Sequence, residues 1–338
     1  MQIIEELICG RDLSRTEARA LMGSIMRGEL TESQIAAVLT ALRIKGETVE
    51  EIAGFAAAMR AEALVITPKS SGLVDTCGTG GDAGHTFNIS TATAIVAAAM
   101  AIPVAKHGNR AVSSRSGSAD VLQAMGVNIE LEPAAVSALI DSVGIGFLFA
   151  PAHHPAMKHA APVRKQLGIR TVFNLLGPLT NPAGVKRQLM GVFTRELTEV
   201  VAHVLRALGA EKAFVVHGLD GTDEVSLSAE TQVTDLDEQG RVSTFTFTPE
   251  EAGIERADLA AIAGGSPQEN AASIQAIFDG AGGPRRDAVL LNAGFVAALA
   301  GKTQSPAEGV ALARETIASG KARRKLDELR DASWVMAG

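Results

Sequence analysis

Gly78-Thr79-Gly80-Gly81-Asp82 lies between the apolar run Leu73-Val74 and the alanine-rich run Ala92 to Ala101, so it sits where a strand turns into a helix. Glycine pairs alone mark turns. Here they are followed by Thr86, Asn88, Ser90 and Thr91 at the start of one helix, and then by Lys106 after the next apolar segment. Glycines let an anion reach backbone N–H groups, and the helix start adds unpaired donors and the positive end of its dipole. Lys106, at the end where parallel strands bind ligands, contributes a point charge. The wording is not that of a P-loop, which ends Gly-Lys-Ser/Thr, nor of a Gly-x-Gly-x-x-Gly dinucleotide fold. Cys77 beside the loop reads as a small buried residue ending a strand. His153-His154 could suggest a metal pair, but helix neighbours do not share a face and no third ligand has suitable spacing.

The elements that must hold these residues fall into two rhythms. Up to about Glu62 the chain reads as four short helices. Ser14 with Glu17, Thr31 with Gln34 and Thr48 with Glu51 have capping-box spacing, and Gly10, Gly28 and Gly46 serve as stops. After the linker Thr67 to Gly72, apolar strands alternate with helices, which predicts a mostly parallel sheet covered on both faces. The candidate strands are Leu73 to Thr76, Val104 to Lys106, Asn128 to Leu131, Ile145 to Phe149, Leu189 to Phe193 and Ala213 to His217. Antiparallel strands are expected between Val225 and Thr248. The expected fold is therefore α/β, with a small N-terminal helical domain (1–66) and a larger α/β domain (73–338) around a mostly parallel central sheet. The proline-interrupted stretch from His153 to Gly184 fits the sheet rhythm poorly. With 338 residues, 38 acidic and 31 basic, the chain carries a net charge of −7, which argues against a general nucleic-acid binder and makes any anion site local. Two distant cysteines and the absence of a signal-peptide pattern point to the cytoplasm, and the alanine-rich run is too short to span a membrane.

The glycine loop, Lys106-His107-Gly108-Asn109-Arg110, Arg170 to Pro182 and Asp287 to Ala293, with the shorter motifs between them, resemble the anthranilate phosphoribosyltransferase family over nearly the whole chain. The resemblance implies transfer of the phosphoribosyl group of phosphoribosyl pyrophosphate (PRPP) to the amino group of anthranilate, in tryptophan biosynthesis, with Mg2+. It implies PRPP contacts at Gly78, Gly81, Asp82, Thr86, Asn88, Ser90, Thr91, Lys106, Ser114 and Ser118. For anthranilate it implies Gly78, Asn109 and Arg164, with His107, Met157 and Pro178 lining the pocket. For the metal it implies Ser90, Asp223 and Glu224. It also implies that part of 165–185 returns to complete the helical domain, leaving the site in the cleft.

The chemistry suits these residue types. Magnesium shared with a pyrophosphate needs only one or two carboxylates plus waters, and a guanidinium fork suits the carboxylate of anthranilate. The amine is already unprotonated at neutral pH, so no strong base is required, and His107 reads as a binding or packing residue. The alternatives are a pyrimidine nucleoside phosphorylase, whose glycine loop is worded differently, and a non-catalytic nucleic-acid-binding relative, which the acidic balance opposes. A homodimer is expected through the N-terminal helices, because Ile3, Leu7, Leu21, Ile25, Ile35, Leu39 and Leu42 offer more apolar surface than one small core can readily use.

Overall fold

The computed structural model describes residues 2–81, 86–111 and 115–337. The chain opens with α1 (Gln2–Ile8), α2 (Arg15–Met26), α3 (Glu32–Lys45) and α4 (Val49–Ala61). All three expected capping boxes form; at α2 the Glu17 carboxylate accepts the Ser14 N–H at 2.8 Å while the Ser14 hydroxyl accepts the Glu17 N–H at 3.3 Å. Glu51, the capping carboxylate of α4, is fully buried and also accepts from the Leu13 N–H at 2.9 Å and from Lys45 at 2.9 Å, so a local cap also ties α3 and the α1–α2 connection to α4.

The sheet contains β1 (Val74–Gly78), β2 (Val104–Gly108), β3 (Ile145–Phe149), β4 (Arg187–Gly191), β5 (Lys212–Gly218), β6 (Thr231–Leu236) and β7 (Val242–Phe247), in the order β3-β2-β1-β4-β5-β6-β7. Pairings from β3 to β5 are parallel, and β6 and β7 add an antiparallel edge. Between the strands run α5 (Ile89–Ala99), α6 (Ser118–Ala124), α7 (Pro133–Val143), α8 (Ala150–His153), α9 (Ala161–Leu167), α10 (Phe173–Leu179) and α11 (Leu197–Ala207). The chain closes with α12 (Pro267–Phe278), α13 (Pro284–Leu299), α14 (Pro306–Ala318) and α15 (Lys321–Val335).

Side chains alternate across the sheet, as strand geometry requires. Leu189, Phe214 and Val216 enter one core with α5 and α12 to α15, while Met190, Val192, Ala213 and Val215 enter the other. That second core is continuous with α1 to α4 and also takes Val163 of α9 and Phe173, Leu175 and Leu176 of α10. The broken segment after His153 thus packs with the N-terminal helices. No helix among the described residues is long and apolar enough to cross a membrane.

Two expectations need correction. Asn128 to Leu131 is an extended connection and not a strand, because its donors go elsewhere: the Asn128 N–H to the Ser333 hydroxyl at 2.9 Å and the Glu130 N–H to the Asn128 side chain at 3.1 Å. The apolar residues counted as surplus on the N-terminal helices are not surplus either. Leu7, Leu21, Ile25, Ile35, Leu39 and Leu42 are all buried within the subunit, in a core that α9, α10 and α11 share with the four N-terminal helices. Ile8 and Ile44 stay exposed, at 65% and 82%.

Candidate active site

Strands β1, β2, β4 and β5 each end in glycine at the C-terminal edge of the sheet, at Gly78, Gly108, Gly191 and Gly218. Strand order reverses between β1 and β4, and such a switch point opens a crevice where α/β sheets bind ligands. Gly78 and Gly191 are register partners across it. Asp223 lies on both: a Cβ at Gly78 would strike its carboxylate, and a Cβ at Gly191 would strike its backbone carbonyl. The two bare strand ends therefore let the acidic turn settle against the sheet, where the Gly80 N–H donates to Asp223 Oδ2 at 2.8 Å. Gly78 was legible from the sequence. Gly191 was not singled out, although its place at the end of an apolar strand is the same signal.

Glu224 reaches the start of α5, accepting from the Ser90 N–H at 3.2 Å. Ser90 Oγ accepts from Lys106 Nζ at 3.3 Å, and Lys106 also donates to the Thr76 carbonyl at 2.5 Å. Burial lowers the pKa of Lys106, while the neighbouring Asp75 carboxylate supports its charge. Asp75 is itself pushed up to about 6 by burial, against the pull of Lys106 and hydrogen bonds from Asn181 and the His107 N–H. Lys106 is thus only 2% exposed, seated behind the loop instead of on its surface. Asp75, a charged residue inside an apolar strand, was passed over by the sequence reading.

Asn88 donates to the Ser116 carbonyl at 3.0 Å and accepts from the Ser116 hydroxyl at 3.0 Å and Asn270 Nδ2 at 2.9 Å, which braces the segment before α6 against the start of α5. Thr86 bridges to Ala263. Ser118 begins α6 with its hydroxyl on the Asn109 carbonyl at 3.3 Å. The Thr91 hydroxyl is buried on α5 without a hydrogen-bond partner among the described residues. Asp82 and Ser114 lie outside the described residues. Cys77 is half-buried at the end of β1, its thiol pushed well above its usual pKa by burial, with Gln188 Nε2 at 2.9 Å from its sulfur.

On the other side of Gly78 stands a group of different character. His107, at the end of β2, directs Nδ1 to the Gly177 carbonyl at 3.1 Å, and a carbonyl can only accept, so Nδ1 carries the hydrogen. Its pKa falls to about 3 through burial and the neighbouring His154 and His153, which keeps the ring neutral. His154 lies 5.2 Å from it, ring centre to ring centre, and is pushed down to about 4 by burial and by His153. Pro178 is buried in α10, Met157 is half-buried, and Asn109 is exposed just past β2.

Arg164, on α9, is half-buried with its guanidinium 5.1 Å from the centre of the Phe173 ring, and no carboxylate pairs with it among the described residues. Burial lowers its pKa. Arg170, not predicted, donates to the Gly81 carbonyl at 2.6 Å and stacks on Phe193 at 4.6 Å, so the segment that packs with the helices also touches the glycine loop.

A helical bundle joined to a mostly parallel sheet, with an acidic turn and a glycine loop meeting at its switch point, makes a two-part α/β protein with a ligand crevice at the sheet edge. Residues 70–323 match the α/β domain of a glycosyl transferase family, and residues 1–63 match its helical bundle domain. The chain is 52% identical over 332 residues to an anthranilate phosphoribosyltransferase of Moorella thermoacetica, covering 98% of this chain and 97% of that protein. The crystal structure of the anthranilate phosphoribosyltransferase of Thermus thermophilus superposes with a TM-score of 0.94 at 46% identity, covering 99% of this chain and 100% of that one. The Saccharomyces cerevisiae enzyme in complex with PRPP and Mg superposes with a TM-score of 0.88 at 31% identity, over 96% of this chain and 94% of that one. The chain belongs to the anthranilate phosphoribosyltransferase family of glycosyl transferases.

Proposed function

We propose that the edge around Gly78 carries out anthranilate phosphoribosyl transfer. The amino nitrogen of anthranilate attacks the anomeric carbon of PRPP, the bond from that carbon to the pyrophosphate oxygen breaks, pyrophosphate leaves with the electron pair, and the nitrogen gives up one proton to water. The observation that supports this most directly is the acidic turn laid over Gly78 and Gly191, facing the first turn of α5. That arrangement puts carboxylates beside backbone donors, a setting for a polyanion that brings its own cation.

The donor set fits magnesium. Asp223, Glu224 and Ser90 offer hard oxygen atoms at one place, and no group of three or more His, Cys, Asp or Glu suited to a metal occurs among the described residues. Such a site holds the ion jointly with substrate phosphates. When bound, Mg2+ neutralises charge on the departing pyrophosphate. The chain's own groups do the rest. Gly78, Gly81, Asp82, Thr86, Asn88, Ser90, Thr91, Ser114 and Ser118 belong to the two phosphate cradles, and Lys106 supplies its charge from behind Ser90.

Arg164 clamps the anthranilate carboxylate: it is a partly desolvated cation that meets no carboxylate among the described residues, and a charge-assisted pair gains strength from desolvation. His107, Pro178 and Met157 form the wall, with Asn109 and the Gly78 backbone at the rim. The neutral His107 neither repels the amine nor takes its proton at neutral pH. The helical unit is assigned to 1–66 with part of 165–185, and the α/β unit to 73–338. We further assign the chain to the cytoplasm, with both cysteines free, and to a homodimer in which Ile8 and Ile44 supply the exposed apolar surface. Pyrophosphate release together with loss of anthranilate fluorescence, on mixing the protein with PRPP, Mg2+ and anthranilate, tests the assignment. Pyrophosphate release from PRPP that is indifferent to anthranilate would overturn it.

A further inference from the structure

We infer that Asn292, deep in α13, is a positioning residue for the acidic pair. This rests on the assignment of Asp223 and Glu224 to the metal. Asn292 is fully buried, flanked by Leu291 and Ala293 in a helix whose surroundings are apolar. A buried amide must find partners or lose its hydration uncompensated, so an apolar residue would serve the packing of α13 more simply. The amide is instead committed outside its helix. Asn292 Oδ1 accepts the Val225 N–H at 3.0 Å, and Nδ2 donates to the Val225 carbonyl at 3.2 Å and to the Ala288 carbonyl one turn back at 3.0 Å.

The two bonds to Val225 act as a strand neighbour would: they satisfy both backbone groups of one residue and fix its rotation as well as its position. Val225 follows Glu224 directly. On the other flank, Asp223 is seated on Gly78 and Gly191. The acidic pair is therefore held between two fixed points, the sheet edge before it and Asn292 after it. The Asp220 carboxylate, which accepts from Thr222 Oγ1 at 2.7 Å and Ser226 Oγ at 2.5 Å, only shapes the turn within itself. Through Val225, the residue adjoining the pair, Asn292 connects it to an element 67 residues further along the chain.

Outer groups that orient metal ligands typically change metal affinity about 10- to 100-fold when removed. The first test uses the unaltered protein without metal: the Val225 amide should exchange with solvent far more slowly than that of exposed Gly221. Equal exchange overturns the inference. In Asn292→Leu, of similar volume, that protection should fall at least tenfold. The Mg2+ midpoint, read as the thermal upshift at fixed PRPP, should rise about tenfold, with the Michaelis constant for anthranilate unchanged. Asn292→Asp keeps the acceptor and loses the donor, and should shift the midpoint in the same direction by less; it serves if the leucine variant does not fold. A folded variant with an unaltered midpoint, or one in which every ligand weakens alike, reduces Asn292 to a structural residue. If Asp223→Asn with Glu224→Gln leaves the midpoint unmoved, the metal assignment itself fails. If that pair moves it and the Asn292 variants do not, only the present inference fails.

Discussion

The two sides of Gly78 are built in opposite ways. On the side of α5 the polar groups are already engaged with one another: Lys106 with Ser90, Asn88 with Ser116 and Asn270, Glu224 with the Ser90 N–H, Asp223 with the Gly80 N–H. On the side of α9 and α10 the engagement is partial, with His107 Nδ1 on the Gly177 carbonyl and His153 Nδ1 on the Leu64 carbonyl. The Nε2 atoms of His107, His153 and His154 are buried without hydrogen-bond partners among the described residues, and the Arg164 guanidinium faces no carboxylate there. A densely charged substrate needs donors held in place before it arrives, because reorganising them during the reaction raises the barrier. A flat, weakly polar acceptor needs a shaped wall and one charge. The lesson is that the first side is stiffened by polar bonds and the second by packing.

The largest effect should come from breaking the stiff side. Asp223→Asn with Glu224→Gln is expected to lower kcat by about 10²–10³-fold, comparable to losing a charge-stabilising group in other active sites, while the thermal midpoint stays near that of the parent. Turnover within a few-fold of the parent, with an ordinary response to Mg2+, would remove the pair from the mechanism. Next, Arg164→Ala deletes a charge on the other side that meets no carboxylate among the described residues. Loss of a charged hydrogen bond costs about 1.5–3 kcal/mol, so the Michaelis constant for anthranilate should rise about 10- to 100-fold and that for PRPP much less. The reverse pattern would move Arg164 to the phosphate side and erase the contrast.

The packed side should also show itself in acid. His107 and His154 bind protons only near pH 3 and 4 when folded but near 6.5 when unfolded, so their contribution is complete above pH 6.5 and is lost as pH falls toward 4. His153 is shifted in the same direction by burial. Asp75 acts oppositely, since its pKa of about 6 means that the folded protein takes up a proton before the unfolded chain does. Stability should therefore fall with decreasing pH across this window, each unopposed proton adding about 1.4 kcal/mol per pH unit. His154→Gln should flatten the profile of urea midpoint against pH; an unaltered slope would mean that the imidazole is not held neutral. The smallest change is expected far from both sides: Ile44→Glu should leave kcat unchanged and shift the mass in light scattering from dimer toward monomer. A mass unaffected by this replacement and by Ile8→Glu would remove those residues from any interface.

Much of this was present in local signals. Three capping boxes started α2, α3 and α4 where the hydroxyl and its partner three residues on required, and alternating apolar runs placed β1 to β5 within a few residues. The glycine loop was legible for the same reason: glycine before a helix start restricts what the backbone near it can do. What lay outside the sequence depended on partners distant along the chain. Asn128 to Leu131 had strand-like composition but gave its N–H groups to side chains, one of them more than two hundred residues away. The apolar faces of the N-terminal helices were read correctly as surfaces to bury; that they are buried within the same subunit, in a core shared with α9, α10 and α11, is a matter of tertiary packing. The neutral state of His107, the seat of Asp223 on Gly191 and the hold of Asn292 on Val225 belong to the same class. Helix caps and strand alternation arise from bonds among near neighbours, so residue types at short spacing suffice to determine them. Burial, protonation and the placing of one turn against another sum contributions from elements that meet only when the chain is folded, and no short window of residues contains both halves of such a contact.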